Sequence, residues 1–507
     1  MPVAMFDNCL KPLGSRQLIM VFAIATLLFV FPIIQADYPY GDDVPRQLFL
    51  GEDLWRSQGR GLMQVLQTVV GFSSHSVDVF PLPLLLMLPV LVLALVSLTR
   101  HYFRKPCLFD CSVVLPLLYS PFFLGNLSYQ YDGPMMILAL CCVIFAITFK
   151  HRHPGLRTVI PGLLLVAAAS LYQITLQVFV ALCCIECLRG MCDGVDLKSI
   201  LLGIAERMLQ LSVACILYYF TAFQFYASWR GTLAHDGEGW GALITLRVSK
   251  VAEVIGLLIT DGNRMIMALL GVAAVAGIAL MLVAVLRSER RLTERMACVV
   301  LCAIAWLVMM IAVPGIILVI EDFALNCRSL MAVSCVMVAG FYFARKALGE
   351  IRPSASGLLL IPLVCMLSFS FAYGRVLVAQ KTLETSVVQS IGYDLSSRAE
   401  LRKIEDFYLI PPEELRLWLP AVAGTLEQMP ALAFILDKTQ ITMAERFAVA
   451  GFNNVASKTR QSFMDATVDT HPQVLVNNLF YDIVQIGNIG YIELKTPEGS
   501  DRYKFQW

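Results

Sequence analysis

Apolar stretches of near-spanning length, roughly 17–25 residues, recur from residue 17 to residue 372 and constrain this chain more than any other feature. They lie at 17–36, 80–99, 108–125, 134–149, 206–228, 265–286, 296–319, 328–344 and 354–372. The stretch 158–188 is too long for one helix and contains a polar break, Ser170-Leu-Tyr-Gln173. It reads as two short spans meeting at the outer surface, with a re-entrant pair as the alternative. The expectation is a polytopic all-α membrane core of about eleven helices over residues 1–372. Only 15% of residues are charged, against about 25% in soluble proteins. Net charge is +1, which argues against a nucleic-acid partner.

Lys and Arg set the orientation. Segments 1–16, 100–106, 150–157, 189–207, 287–295 and 345–352 hold eighteen of them in 67 residues. Segments 37–78, 126–133, 229–264 and 319–328 hold eight in 96. The first set is expected in the cytoplasm with the N-terminus, and the second forms external loops. An odd number of spans then puts residues 373–507 outside. The first apolar run could pass for a secretory signal with Ala36 at its cleavage site. Its core exceeds the usual 7–15 residues, so a retained helix is the better reading.

The tail, 373–507, reads as a mixed α/β domain. Ser397-Arg-Ala-Glu400 has the spacing of a capping box, and Phe407-Tyr-Leu-Ile410 before two prolines reads as a short strand. Residues 483–494 hold two β-prone runs around Gly487 and Gly490, the pattern of a hairpin. No cysteine lies beyond Cys365, so the tail has no disulfide even in an oxidising compartment.

Two external loops contain amphipathic helical patterns. Leu62, Val65, Leu66 and Val69 share one face, with Gln64 and Gln67 opposite. Ile244, Val248, Val251, Ile255 and Leu258 form a second stripe, opposed by Arg247, Ser249, Lys250 and Glu253. Each is too polar to span and is expected in the interface plane, among membrane lipids.

HExxH, GxSxG and Walker A patterns are absent, no metal cluster is visible, and no cofactor is implied. What remains is a set of acids and arginines on the outer side. Tyr38-Pro-Tyr-Gly-Asp-Asp-Val-Pro-Arg46 follows the first span directly. Its paired carboxylates, Asp42 and Asp43, are costly to desolvate near a membrane and need a cationic partner; a solvated loop with a local ion pair is the plainer reading. Asp132, in the short outer loop Ser128-Tyr-Gln-Tyr-Asp-Gly-Pro134, is a candidate for sugar or acceptor contact, with capping of the helix before Pro134 as its plainer role. Tyr131 beside it, and Gln173 at the polar break, are candidates for sugar contacts; interfacial anchoring and backbone satisfaction are their plainer roles. Arg328 and Arg264 begin apolar helices, where they can bind an anion or anchor at headgroups.

An acidic pair just outside the first helix, followed by an interfacial helix, resembles the polyprenyl-phosphate-sugar-dependent glycosyltransferases of the GT-C superfamily. The fuller pattern, Asp-Asp-x-x-Arg46 with Tyr131-Asp132 in the second loop, resembles the serotype-converting O-antigen glucosyltransferases (Gtr type) of bacteria and phage. The resemblance implies undecaprenyl phosphate glucose as donor and lipid-linked O-antigen polysaccharide as acceptor, on the periplasmic face of the bacterial inner membrane. It implies an inverting transfer with Asp42 or Asp43 as catalytic base and Arg46, Arg328 and Arg264 as candidates for the donor phosphate. Superfamily members commonly carry Asp-Glu at the pair; Asp-Asp here leaves open which acid is the base. Rival classes are a lipid-linked glycan transporter or flippase and an O-antigen polymerase. Transporters usually carry mid-membrane charges and internal repeats; these spans are nearly free of charge.

Overall fold

A computed structural model describes residues 9–48, 54–228, 232, 240–321, 323–414, 417–468 and 472–497. The chain divides into two compact units, residues 1–32 with 52–371 and residues 33–51 with 372–507. The sequence reading placed all of the first external loop with the membrane core. Its opening residues instead belong to the tail's unit, for a reason that lies in side-chain contacts described below.

The first unit is a multi-pass helical membrane body. Among the described residues, nine helices are long and apolar enough to cross a bilayer, including Leu82–Tyr102, Pro154–Leu171, Thr175–Cys192, Arg264–Arg287 and Leu292–Ala312. The stretch 158–188 is two helices: Pro154–Leu171 ends where Tyr172 turns extended, and Thr175 Oγ1 bonds the Tyr172 carbonyl at 2.7 Å as the next begins. The expected single span at 108–125 is instead broken into helices Leu108–Val114, Pro116–Tyr119 and Phe123–Ser128. Pro116 and Pro121 account for this, since proline lacks an amide hydrogen and tends to break a helix interior. The pieces are buried almost throughout, and Asp110 in the first is paired with Arg345 at 3.2 Å.

Both amphipathic patterns form helices, Gly61–Gly71 and Trp240–Gly256. In the first, Met63 and Gln67 turn inward while Val65 and Val69 are exposed. That inverts a soluble amphipathic helix and suits a helix whose apolar face meets lipid. In the second, Arg247 is not on a solvated face as the pattern suggested. It is buried and donates to the carbonyls of Leu318, Ile320 and Glu321 at 2.7, 2.7 and 3.2 Å. Much of the Gly-rich end of the 229–264 loop lies outside the described residues.

The second unit carries the α/β tail. Its strands are β1 (Asp406–Ile410), β2 (Val455–Ser457), β3 (Gln473–Asn477), β4 (Tyr481–Ile486) and β5 (Ile489–Leu494). They form one mixed sheet in the order β2-β1-β5-β4-β3, with β1 parallel to β2 and β5 and the rest antiparallel. The expected hairpin is β4–β5, and the expected strand is β1. Ser397-Arg-Ala-Glu400 does not open a helix: Ser397 ends the 38-residue helix Leu360–Ser397, and a 3-10 turn follows at Leu401–Lys403. Capping-box spacing cannot distinguish the start of a helix from the solvated end of another. Sheet and helix bury a common core that includes Ile391, Leu395, Phe407, Phe447, Ile483 and Ile492.

In the membrane unit, helices Arg264–Arg287 and Val333–Ile351 meet at Gly277, where any Cβ would collide with the Phe343 carbonyl. Small residues are what let membrane helices approach this closely. Replacement Gly277→Ala is expected to cost about 1–3 kcal/mol through overpacking, and Gly277→Leu more. Thermal unfolding in detergent, read by intrinsic fluorescence, is the check.

Candidate active site

The acid pair sits on a tight turn after helix Ser15–Ala36. Gly41 adopts φ +58°, a left-handed conformation that glycine takes without penalty, and its N–H donates to Asp437 Oδ2 at 3.0 Å. Helix Asp43–Leu48 follows at once. The two acids are not equivalent. Asp43 is buried at the helix start, and its Oδ2 accepts the Tyr40 N–H at 2.8 Å, so this carboxylate closes the turn. Asp42 keeps 57% of its side chain exposed and faces Arg46, whose Nη2 lies 3.4 Å from its Oδ2 with only 2% of that arginine's side chain exposed. Arg46 is thus a charge buried beneath an exposed carboxylate.

The tail's own residues hold this turn. Tyr38 Oη donates to both carboxylate oxygens of Glu384, at 3.1 and 3.0 Å. Glu384 is paired with Arg446, and Gln380 Nε2 donates to it at 2.8 Å. Tyr40 Oη donates to the Ile435 carbonyl, and Lys381 pairs with Asp37 at 3.2 Å. Burial first, then the neighbouring Glu384 charge, pushes the Tyr38 phenol well above its ordinary pKa, so it remains a donor to that carboxylate. These contacts explain why residues 33–51 belong with the tail.

A second cluster lies within the membrane unit. Asp132 is buried at the start of helix Asp132–Thr148 and accepts from Trp55 Nε1 at 2.6 Å and Arg60 Nη1 at 3.3 Å. Arg60 also reaches Gln173 Oε1 at 3.3 Å and lies 5.0 Å from the ring centre of Tyr172. Gln173 Nε2 bonds the Gln58 carbonyl at 2.8 Å and the Tyr218 hydroxyl at 2.9 Å. Tyr172 Oη donates to the Arg328 carbonyl at 3.1 Å, and the Arg328 guanidinium lies over the Tyr129 ring at 5.1 Å. Burial raises the Tyr172 pKa while Arg328 and Arg60 oppose that rise.

Of the sequence candidates, Asp132, Gln173 and Arg328 therefore belong to one cluster. Tyr131 adjoins it, its carbonyl accepting from Gln67 Nε2 at 2.5 Å. Asp42, Asp43 and Arg46 form the other group. Arg264 opens helix Arg264–Arg287, exposed, and its side chain makes no hydrogen bond or ion pair among the described residues. Sequence reasoning missed Trp55, Arg60, Glu384 and Arg446. A signal existed for Arg60: a buried outer Asp132 needs a cation, and loop 37–78 offers only Arg46, Arg56 and Arg60.

The Glu384–Arg446 pair generates a stability test. Replacing Glu384 by Ala strands a buried guanidinium, a loss of about 3–5 kcal/mol. The double replacement Glu384→Met with Arg446→Met should cost less than Glu384→Ala alone, because it removes both charges. Unfolding midpoints of the three proteins in one detergent give the comparison.

With this geometry in hand, comparison with known proteins is informative. An uncharacterized 55.3 kDa protein from the gtrB 5′ region of Salmonella phage P22 is 26% identical over 214 residues, covering 42% of this chain and 43% of the phage protein. The chain thus spans less than half of that relative's length. No solved structure matches. The profile of one family, described as Glucosyl transferase GtrII, matches residues 31–344, which contain the acid turn, the Asp132 cluster and most of the membrane helices. On a match over more than half its length, the chain belongs to the Glucosyl transferase GtrII family.

Proposed function

We propose that this protein transfers glucose from undecaprenyl phosphate glucose to lipid-linked O-antigen on the periplasmic face of the bacterial inner membrane, inverting the anomeric centre. The observation that carries the reading is the unequal acid pair: one carboxylate buried to shape the turn, the other exposed over a buried arginine just after the first membrane helix. Family membership supplies the class of reaction.

In the proposed reaction, an acceptor hydroxyl attacks the anomeric carbon while Asp42 takes its proton. The bond from that carbon to the phosphate oxygen breaks, and the electron pair leaves with undecaprenyl phosphate. A single displacement converts a β-linked donor into an α-glucoside. Arg46 lies against Asp42 and orients its carboxylate between turnovers. Asp43 holds the turn. The leaving phosphate needs cationic donors, and guanidinium suits it by its planar fork. Arg46, Arg328 and Arg264 are the candidates for that role that the family resemblance implies, with Tyr131, Asp132 and Gln173 as candidates for sugar contacts. No metal or cofactor enters the scheme.

Topology follows the charge asymmetry. Taking the broken segment Leu108–Tyr119 and the short helix Asp132–Thr148 as further crossings beside the nine longer helices, we count eleven spans, an odd number that carries the tail across. An alkaline phosphatase fused after Trp507 should be active, and an active cytoplasmic reporter there would refute this orientation.

The decisive experiment concerns Asp42. Asp42→Asn removes the base at almost constant volume and should lower transfer by about 10²–10⁴-fold, with protein still present in the membrane. Asp43→Asn keeps an oxygen that can accept the Tyr40 N–H and should be milder. Full O-antigen modification by Asp42→Asn refutes the assignment. For the phosphate, Arg328→Lys keeps charge but loses the fork, an expected loss of about 1.5–3 kcal/mol, or one to two orders of magnitude in turnover. A headgroup anchor would survive that change with wild-type rates in a detergent assay using purified lipid donor.

A further inference from the structure

The second unit contains a cleft that the proposed chemistry leaves unused. Trp418 and Phe480 line it, partly exposed and edge to face with ring centres 5.4 Å apart. Gln380 lines it as well and is 3% exposed. Its Nε2 donates to Glu384 Oε1 at 2.8 Å and to the Asp437 carbonyl at 2.5 Å. Both partners only accept there, so the amide cannot be turned round. Its Oε1 is thereby left buried with no hydrogen-bond partner among the described residues. A buried acceptor left unsatisfied costs about 1–3 kcal/mol.

Lys438, also in the wall, makes no hydrogen bond or ion pair among the described residues, and burial holds its pKa below the ordinary lysine value. Lys495 closes the rim, its Nζ held by Asp482 at 2.6 Å and by the Asn478 carbonyl at 3.0 Å. The wall therefore offers an unused acceptor, an unused donor and an aromatic pair. Inorganic phosphate fits poorly, because the Gln380 oxygen would face another acceptor. A hydroxyl can donate to Gln380 Oε1 and accept from Lys438 Nζ, while the C–H face of a pyranose ring packs against an aromatic side chain.

We infer that Trp418, Phe480, Gln380, Lys438 and Lys495 form a saccharide-binding subsite that takes a hexose unit of the acceptor glycan. The word acceptor rests on the glucosyl-transfer reading; binding of a sugar does not. Glu384 also lines the cleft and holds the Tyr38 hydroxyl, so a bound sugar would lie beside the contacts that secure the acid turn.

The test uses the full chain in nanodiscs and a panel of methyl glycosides of glucose, galactose, rhamnose and N-acetylglucosamine, observed by saturation-transfer NMR. At least one should bind saturably, with inorganic phosphate failing to compete. Lys438→Met and Trp418→Ala should weaken that binding by about tenfold or more, roughly the worth of one good contact, and Trp418→Phe should restore much of it. Should Trp418→Ala fail to fold, Lys438→Met decides alone. In the transfer assay, Lys438→Met should raise the acceptor KM and leave kcat unchanged. No binding by any glycoside, binding indifferent to Lys438→Met, or competition by phosphate each overturns the subsite. Glycoside binding that depends on Lys438 while Asp42→Asn retains full modification supports the sugar site and removes only the transfer reading.

Discussion

Glu384 is the constraint on which the acid turn depends. A carboxylate this deeply buried is stable only if its lone pairs are satisfied and its charge is matched. Arg446, Gln380 and Tyr38 together do this. Two of those partners come from the tail, but Tyr38 comes from the chain leaving the first membrane helix. The cost of stranding Glu384 therefore holds residues 38–43 in one conformation. Tyr40, Gly41 and Asp43 then each spend a hydrogen bond on the same turn. Asp42 alone in that run keeps its carboxylate largely in solvent.

The membrane helices were legible in the sequence because a bilayer imposes a length and a composition together. Where the reading failed, a local rule had competed with burial. At 108–125 hydropathy pointed to one span, but Pro116 and Pro121 decided the backbone. Local turns take up the breaks, with Ser120 N–H donating to the Pro116 carbonyl at 3.1 Å and Phe123 N–H to the Ser120 carbonyl at 3.0 Å. Arg247 looked like a solvated residue on a helix face. Three carbonyls around the Gly315–Leu318 turn needed a donor, and a guanidinium can serve all three. Helical periodicity carries no information about such distant demand.

The site was legible in the same partial way. Asp42 and Asp43 stand out because adjacent acids beside a membrane helix are unusual, and Asp132 because its loop is short and otherwise uncharged. Beyond the nearby Arg46 and the few loop cations that include Arg60, the distant partners were not legible. Tyr38 and Glu384 are 346 residues apart, and Trp55 and Asp132 are 77 apart. No local pattern distinguishes Glu384 from any other carboxylate on a long helix, or Arg446 from a surface arginine. Only the fold brings out that each is the other's counter-charge.

The two acid–arginine pairs illustrate how burial decides what a carboxylate can do. Asp42 and Asp132 each lie 3.3–3.4 Å from a guanidinium nitrogen. Asp132 is almost wholly buried, and it accepts a short bond from the Trp55 indole besides the one from Arg60. An incoming hydroxyl would have to displace one of those donors inside a low-dielectric interior, where each is strongest. Asp132 is therefore suited to fix Arg60 in place, against Gln173 and the face of Tyr172. At Asp42 the inequality reverses: the arginine is buried and the carboxylate is open. A hydroxyl can approach that carboxylate from solvent without displacing a buried donor. The same pair of residue types thus gives a buried, fully engaged carboxylate in one setting and an open one in the other.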